Sequence, residues 1–309
     1  MGPTASGKSR VALELAQRLP VEIVSVDSAQ VYRGMDIGTA KPSAAERASV
    51  PHHLIDILPP TEAYSAALFR ADALRVIGQI RSRARLPLLV GGTMLYFKAL
   101  LEGLSRLPSA NAQIRAEIEA EAQDLGWPAL HTRLAAVDPD TAARLKPRDS
   151  QRIQRALEVY RITGEPMSRL LFHPPPLAGE GREGAFLSIA LLPADRARLH
   201  QRISARLTEM LSRGLVEEVE ALRQKYALSS ELPSMRSVGY RQVWQHLEGE
   251  LDRDELKDRA IYATRQLAKR QMTWLRSWPE CSVFDCFAPA LSGKLYEVIN
   301  RGGERPGSI

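Results

Sequence analysis

The sequence predicts an α/β protein, a parallel sheet flanked by helices and interrupted by an all-helical insertion. Three observations lead there. A glycine-rich loop opens the chain and runs straight into a helical pattern. Short apolar runs rich in β-formers then alternate with amphipathic stretches, up to about Leu104. From about Ser105 to Gly184 helical patterns follow one another with turns and no strand between them. The expected division is a discontinuous core, residues 1–104 and 185–309, around a helical insertion at 105–184.

The elements follow in order. "VALELAQRL" has helical spacing, whereas "VEIVSV" and "LPLLV" suit strands buried on both faces of a parallel sheet. Between those strands "SAALFRADALRVIGQIRSR" is an amphipathic helix. "IRAEIEAEAQDLGW", "PALHTRLAAVD", "PDTAARLK" and "SQRIQRALEVYRITG" make up the insertion. It closes on "FHPPPLAGEGREG", whose Pro and Gly density predicts a connector able to hinge. Gly179, Gly181 and Gly184 there match GxGxxG, but no strand pattern precedes them and no helix pattern follows, so a dinucleotide site is rejected. "AFLSIALLP" resumes a core strand, and helices are expected at 196–213, 216–225, 240–247 and 254–278. The closing "GGERPGSI" reads as disordered.

At 309 residues with 44% apolar composition the chain can build one large domain and a smaller one. A net charge of +6 suits a polyanionic partner without requiring one. No run of about 18 apolar residues occurs and no charged-then-apolar leader stands ahead of the loop, so a cytoplasmic protein without membrane contact is expected. Cys281 and Cys286 are too few for a closed thiolate zinc site and read as free thiols.

Gly2, Gly7, Lys8 and Ser9 satisfy GxxxxGK[ST]. Backbone N–H groups of such a loop and of the following helix converge on an anion, the lysine adds a compact positive charge, and the hydroxyl can ligate Mg²⁺. The core is thus expected to be P-loop NTPase-like. The strand that normally feeds such a loop has no room before Met1, and loss of a central strand is the least expected explanation. Asp27 follows directly on one strand and Gly91, Gly92 and Thr93 on another, so all share with the loop the carboxyl edge where open α/β sheets bind ligands. Arg265, Lys269, Met272 and Arg276 recur along one stripe of the last long helix, where cations could follow phosphates. These residues alone leave an ATP-dependent small-molecule kinase open.

"GPTASGKS", "VSVDSAQVYRGMDIGTAKP", "HHLIDI" with "YSAALFRADA", "GGTMLYFKALLEGLSRLPSA", "SVGYRQVW" and "ATRQLAKRQMTWLR" together resemble the tRNA dimethylallyltransferase family, in matching order over residues 2–278. The chain departs from the family pattern at Ser9, commonly Thr, and in the strand expected before the loop. The resemblance implies transfer of a dimethylallyl group from dimethylallyl diphosphate to the exocyclic N6 of the adenine beside the anticodon. The loop, Gly2, Pro3, Thr4, Ala5, Ser6, Gly7, Lys8 and Ser9, would then hold a diphosphate leaving group, with Mg²⁺ on Ser9. Arg206 would share that charge, Asp27 would act as general base, and Thr93 would position the acceptor edge.

Implied RNA contacts are Asp27, Ser28, Ala29, Gln30 and Thr93; Arg115, Gln151, Arg152, Ile153, Gln154 and Arg155 in the insertion; and Arg236, Ser237, Val238, Gly239, Tyr240 and Arg241. Further contacts are Lys269, Arg270, Gln271, Met272, Thr273, Trp274, Leu275 and Arg276. The insertion would clamp the anticodon stem-loop, and the target base would be flipped out to reach the cleft. The partners expected are tRNA and dimethylallyl diphosphate, with the chain acting as a monomer. An isopentenyltransferase acting on free adenosine phosphates would share the loop and Asp27, but has no need of the insertion or the basic helix.

Overall fold

The computed structural model describes residues 1–105, 107–171, 186–279 and 281–303. The Pro/Gly connector at 172–184, with its three glycines, and the terminal stretch 304–309 lie outside the described residues. Contacts divide the chain into two compact units, Met1–Leu100 with Glu180–Ile309, and Leu101–Gly179.

The first unit begins with the loop and α1 (Lys8–Ala16), followed by β1 (Val21–Val26), α2 (Ala44–Ser49), β2 (His52–His53), α3 (Ala66–Ser82), β3 (Leu86–Gly91) and α4 (Met94–Glu102). β1 lies between β2 and β3, parallel to both, and every residue of it is buried. That burial explains the run "VEIVSV", which does not alternate. Its one carboxylate, Glu22, accepts Arg83 Nη2 at 2.7 Å and lies 2.7 Å from His53 Nε2. The Arg83 hydrogen bond holds the Glu22 pKa below its ordinary value against burial. α2 opens on a reciprocal capping box between Ser43 and Glu46, and α3 on a Ser65 cap. Phe69, Val76, Ile77 and Ile80 of α3 pack with Val24 and Val26 under β1, where Phe69 and Tyr96 stack at 4.4 Å.

After the insertion β4 (Ser188–Leu192) pairs in parallel with β5 (Cys281–Asp285), a strand beyond the last expected helix, where the sequence reading assigned no element. Among the described residues the two sheets share no strand ladder. The backbone of Met1 and Gly2 bridges them: Met1 donates to Ile189 O at 2.7 Å, Leu191 N donates to Met1 O at 2.9 Å, and Gly2 N donates to Gly91 O at 3.3 Å. Cys281 and Cys286 are free thiols, as expected.

The second unit contains α5 (Ala112–Leu125), α6 (Trp127–Val137), α7 (Pro139–Arg144), α8 (Ser150–Thr163) and α9 (Met167–Leu170). Its own core joins Ile118, Leu130, Leu134, Ile153 and Leu157. Asn111, Asp138 and Asp149 cap its helices, and Gly164 ends α8 in the left-handed conformation.

The first unit is completed by α10 (Arg196–Ser212), α11 (Leu215–Lys225), α12 (Tyr240–Leu247), α13 (Arg253–Arg276) and α14 (Leu291–Gly303). α13 opens on an Asp252–Glu255 capping box and buries Leu256, Ala260, Ala268, Met272 and Leu275. No helix among the described residues is long and apolar enough to cross a membrane.

Candidate active site

The loop from Gly2 to Ser9 turns by way of two left-handed residues, Ala5 at φ 62° and Gly7 at φ 82°. The first costs strain that its burial against Leu199, Ile203, Ala268 and Met272 helps to offset. Gly7 stands at the N-cap of α1 and offers no side-chain oxygen, so the first-turn N–H groups stay open to the cleft. Behind the loop Ser6 N donates to Pro3 O at 3.3 Å. Burial pushes the Lys8 pKa down to about 8, with Arg206 adding to the effect and Asp27 opposing it. Burial also lowers the Arg206 pKa, again against the pull of Asp27. Two desolvated cations thus share one carboxylate, a balance that favours an incoming anion.

β1 and β3 deliver the acceptor side. Asp27 leaves β1 and folds back so that Oδ1 accepts Ala29 N at 2.9 Å; Oδ2 makes no hydrogen bond among the described residues. The Val26 carbonyl passes over Gly91 to accept Thr93 N at 3.2 Å. A Cβ at Gly91 would lie 1.9 Å from that carbonyl oxygen, which is why the position has no side chain. Thr93 Oγ1 accepts Ser28 N at 3.0 Å and donates to Ser28 Oγ at 3.3 Å. Asp27 and Thr93 are therefore fixed to one another through the strand ends.

Loop and strand ends open into one cleft of about 570 Å³, lined by Lys8, Ser9, Asp27, Thr93 and Arg206. Its far wall is made by α13 and the segment before α12, where Arg236, Ser237, Val238, Gly239 and Tyr240 reach the lining. Ser28, Ala29 and Gln30 line it too. Gln30 is engaged within the protein, accepting Ser25 Oγ at 2.9 Å and donating to the Thr39 and Ala40 carbonyls at 3.4 Å. Tyr240 is buried with its hydroxyl on Glu218, so it builds the wall instead of reaching for RNA. Arg241 is exposed outside the lining.

The stripe expected along α13 is corrected. Met272 and Leu275 are buried in the core, and Arg265 turns to α10, donating to Ser204 Oγ at 3.1 Å. The helix is rotated relative to the sequence reading because small and apolar residues, Ala260, Ala268 and Met272, set its core face. The face toward the cleft is Thr264, Leu267, Arg270, Gln271 and Trp274, with Arg270 and Trp274 also exposed, while Lys269, Thr273 and Arg276 are exposed to solvent outside the lining.

In the helical unit Ile153 is fully buried, so this expected RNA contact is a core residue. Arg115 donates to the buried Glu158 at 2.8 and 3.1 Å, and Arg155 donates to it at 2.6 Å and to Pro108 O at 2.6 Å. Gln154 donates to Arg115 O at 3.2 Å. Gln151 and Arg152 stand exposed, Arg152 on Asp149 at 2.8 Å.

Sequence reasoning missed the segment around Asp36 to Thr39. Glu218 accepts Asp36 N, Ile37 N and Gly38 N at 3.0, 2.6 and 3.3 Å, which presses Gly38 and Thr39 into the cleft lining. A contact across 180 residues leaves no local pattern, although the Gly-Thr-Ala run within "MDIGTAKP" marks a backbone-led turn.

Cations massed beside open loop amides, facing an unbonded carboxylate oxygen, place the protein among enzymes of P-loop NTPase-like fold that act on a phosphorylated ligand. Comparison with known proteins narrows this. The IPP transferase family matches residues 30–278 and the Isopentenyl transferase family residues 1–56. The tRNA dimethylallyltransferase of Burkholderia lata is 59% identical over 309 residues, 99% of this chain and 95% of the relative. That of Paraburkholderia xenovorans is 59% identical over 299 residues, 97% and 95% of the two chains. The crystal structure of the tRNA isopentenylpyrophosphate transferase from Bacillus halodurans has a TM-score of 0.69 at 36% identity, over 98% of this chain and 94% of that one. A eukaryotic dimethylallyltransferase acting on tRNA has a TM-score of 0.79 at 25% identity, over 100% and 79%. The chain belongs to the tRNA dimethylallyltransferase family.

Proposed function

We propose that this prenyltransferase moves the dimethylallyl group of dimethylallyl diphosphate onto N6 of the adenine beside the anticodon of tRNA, with the diphosphate in the phosphate loop and the adenine opposite Asp27. The observation that carries this reading is that Lys8 and Arg206, both partly desolvated, face the same cleft as the free Oδ2 of Asp27. As the allylic C–O bond breaks, its electron pair leaves with the diphosphate, and the loop amides, Lys8 and Arg206 take up that charge. The N6–C bond forms at the allyl carbon while the amine proton passes to Asp27. Thr93 holds Ser28 and keeps the acceptor edge in register.

The Ser9 hydroxyl makes no hydrogen bond among the described residues and lines the cleft beside Lys8, an arrangement that fits a Mg²⁺ ligand. Together with diphosphate oxygens Ser9 would hold the ion, which supplies further neutralisation of the leaving group. An adenine stacked in a loop must be extruded to reach Asp27, at a cost that contacts elsewhere on the RNA offset. Exposed Lys269, Arg270 and Arg276 on α13, with Gln151 and Arg152 of the helical unit, are the cations and amides proposed to engage the anticodon stem-loop. The reading places the protein in the cytoplasm with its tRNA, as a monomer.

The test is direct. The chain is mixed with unmodified tRNA, Mg²⁺ and dimethylallyl diphosphate, and the digested RNA is weighed for a prenylated adenosine. ATP hydrolysis without prenyl incorporation would sink the reading.

A further inference from the structure

The side chain of Gln271, on the cleft face of α13, joins the two walls of the site. Its Oε1 accepts Thr4 N in the phosphate loop at 2.8 Å, and its Nε2 donates to Gly92 O in the strap before Thr93, also at 2.8 Å. The orientation of the amide is unambiguous, because a backbone N–H can meet only the oxygen and a carbonyl only the nitrogen. A Cβ at Gly92 would stand 2.5 Å from Nε2, so the glycine is what lets the amide in. Gly92 does not have a left-handed φ, so its lack of a side chain serves this approach and not a turn.

Two consequences follow for the chemistry. Thr4 N–H is committed to Gln271 and Ser6 N–H to Pro3 O, so anion binding falls to the amides of Ala5 and of Gly7 onward. The spacing between the loop and the strap that carries Thr93 is set by one side chain. That side chain sits on the same helix as Arg270 and Trp274, which line the cleft and are exposed.

We propose that Gln271 is a positioning residue that couples RNA on α13 to the donor site: RNA contact steadies α13, and Gln271 thereby holds the phosphate loop and the Thr93 strap at the spacing it already sets. This rests on the reading that the diphosphate occupies the loop. Because such coupling is reciprocal, the donor raises RNA affinity by the factor by which RNA raises donor affinity.

The experiment measures the affinity of a non-reacting donor, dimethylallyl S-thiolodiphosphate, with and without a saturating unmodified anticodon stem-loop, on the full chain. Wild type is expected to bind donor at least about fivefold tighter with RNA present. Q271M, which keeps the length and loses both hydrogen bonds, should bring that ratio to about one and raise the donor KM by the lost factor. The ratio does not depend on the fraction of active protein, so a partly unfolded variant still reports. Q271E keeps the acceptor for Thr4, loses the donor to Gly92 and should fall between the two.

G92A displaces the same amide from the other side. It should reproduce Q271M, and the double variant should be no worse than either alone. A wild type without coupling, a Q271M variant that retains it, or additive effects of G92A and Q271M would each overturn the proposal. Donor affinity unchanged in K8M would overturn the loop assignment itself, a failure distinguishable from any behaviour at Gln271.

Discussion

The Tyr240 hydroxyl donates to Glu218 Oε1 at 2.6 Å, and the same carboxylate receives the amides of Asp36, Ile37 and Gly38. Tyr240 thereby completes the support of a segment that lines the cleft. Y240F keeps the ring's packing and removes one charge-assisted bond, worth about 1.5–3 kcal/mol. The denaturant midpoint should fall accordingly, and the KM for tRNA should rise more than the KM for dimethylallyl diphosphate. Equal rises in both would mean that the segment does not discriminate between the substrates.

Asp27→Asn retains a side-chain oxygen for the Ala29 amide but cannot take a proton. Single-turnover transfer should slow by about 10²- to 10⁴-fold, with RNA affinity little changed. Asp27 also raises the pKa of both Lys8 and Arg206, so D27N should move the alkaline limb of donor binding to lower pH.

The Lys8 ammonium, brought down to about 8, sets that limb in the wild type. Its charged form is present below this value and lost above it, so kcat/KM for the donor should fall as pH rises through about 8. Stability runs the other way. Between about 8 and the ordinary 10.5 the unfolded chain holds the proton that the folded chain has released, so unfolding becomes harder as pH rises across that window. Titrations of donor affinity and of denaturant midpoint, run in parallel, should therefore show opposite slopes.

Glu158 is buried beneath Arg115 and Arg155. Burial would raise its pKa, but the two arginine hydrogen bonds outweigh that and hold it below its usual 4.5. E158A leaves the Arg115 guanidinium and the Asn111 amide without their acceptor and Arg155 with Pro108 O alone, at a cost of about 3 kcal/mol. Amide exchange should quicken along α5 and α8 while the Lys8 limb stays in place. In the wild type the contribution of Glu158 is full above the unfolded carboxylate range and is lost as pH falls through its lowered value.

Much of the site was legible because it is local. The phosphate motif is contiguous, and Asp27 and Thr93 stand where two apolar runs end, so strand boundaries alone put them at one edge. What stayed hidden depends on contacts distant in sequence. β5 is five residues long with Val283 exposed, so neither a continuous apolar run nor a clean alternation marks it. The rotation of α13 follows from Ala260 and Ala268 packing where long side chains would not fit, which helical spacing of charges does not reveal. Glu218 and Gln271 act on backbone groups about 180 and up to 267 residues away, and a side chain that serves a backbone amide leaves no partner side chain to notice.

The closeness of Val26 to Gly91 has a consequence for how this protein can change. No side chain fits between those strands, so the gap separating Asp27 from Thr93 is a fixed gauge that substitution can distort but not widen smoothly. Variants that accept a bulkier or differently shaped base must arise instead on the opposite bank, among Leu267, Trp274 and the turn ahead of α12. Selection for new acceptors should leave one side of the cleft untouched and remodel the other.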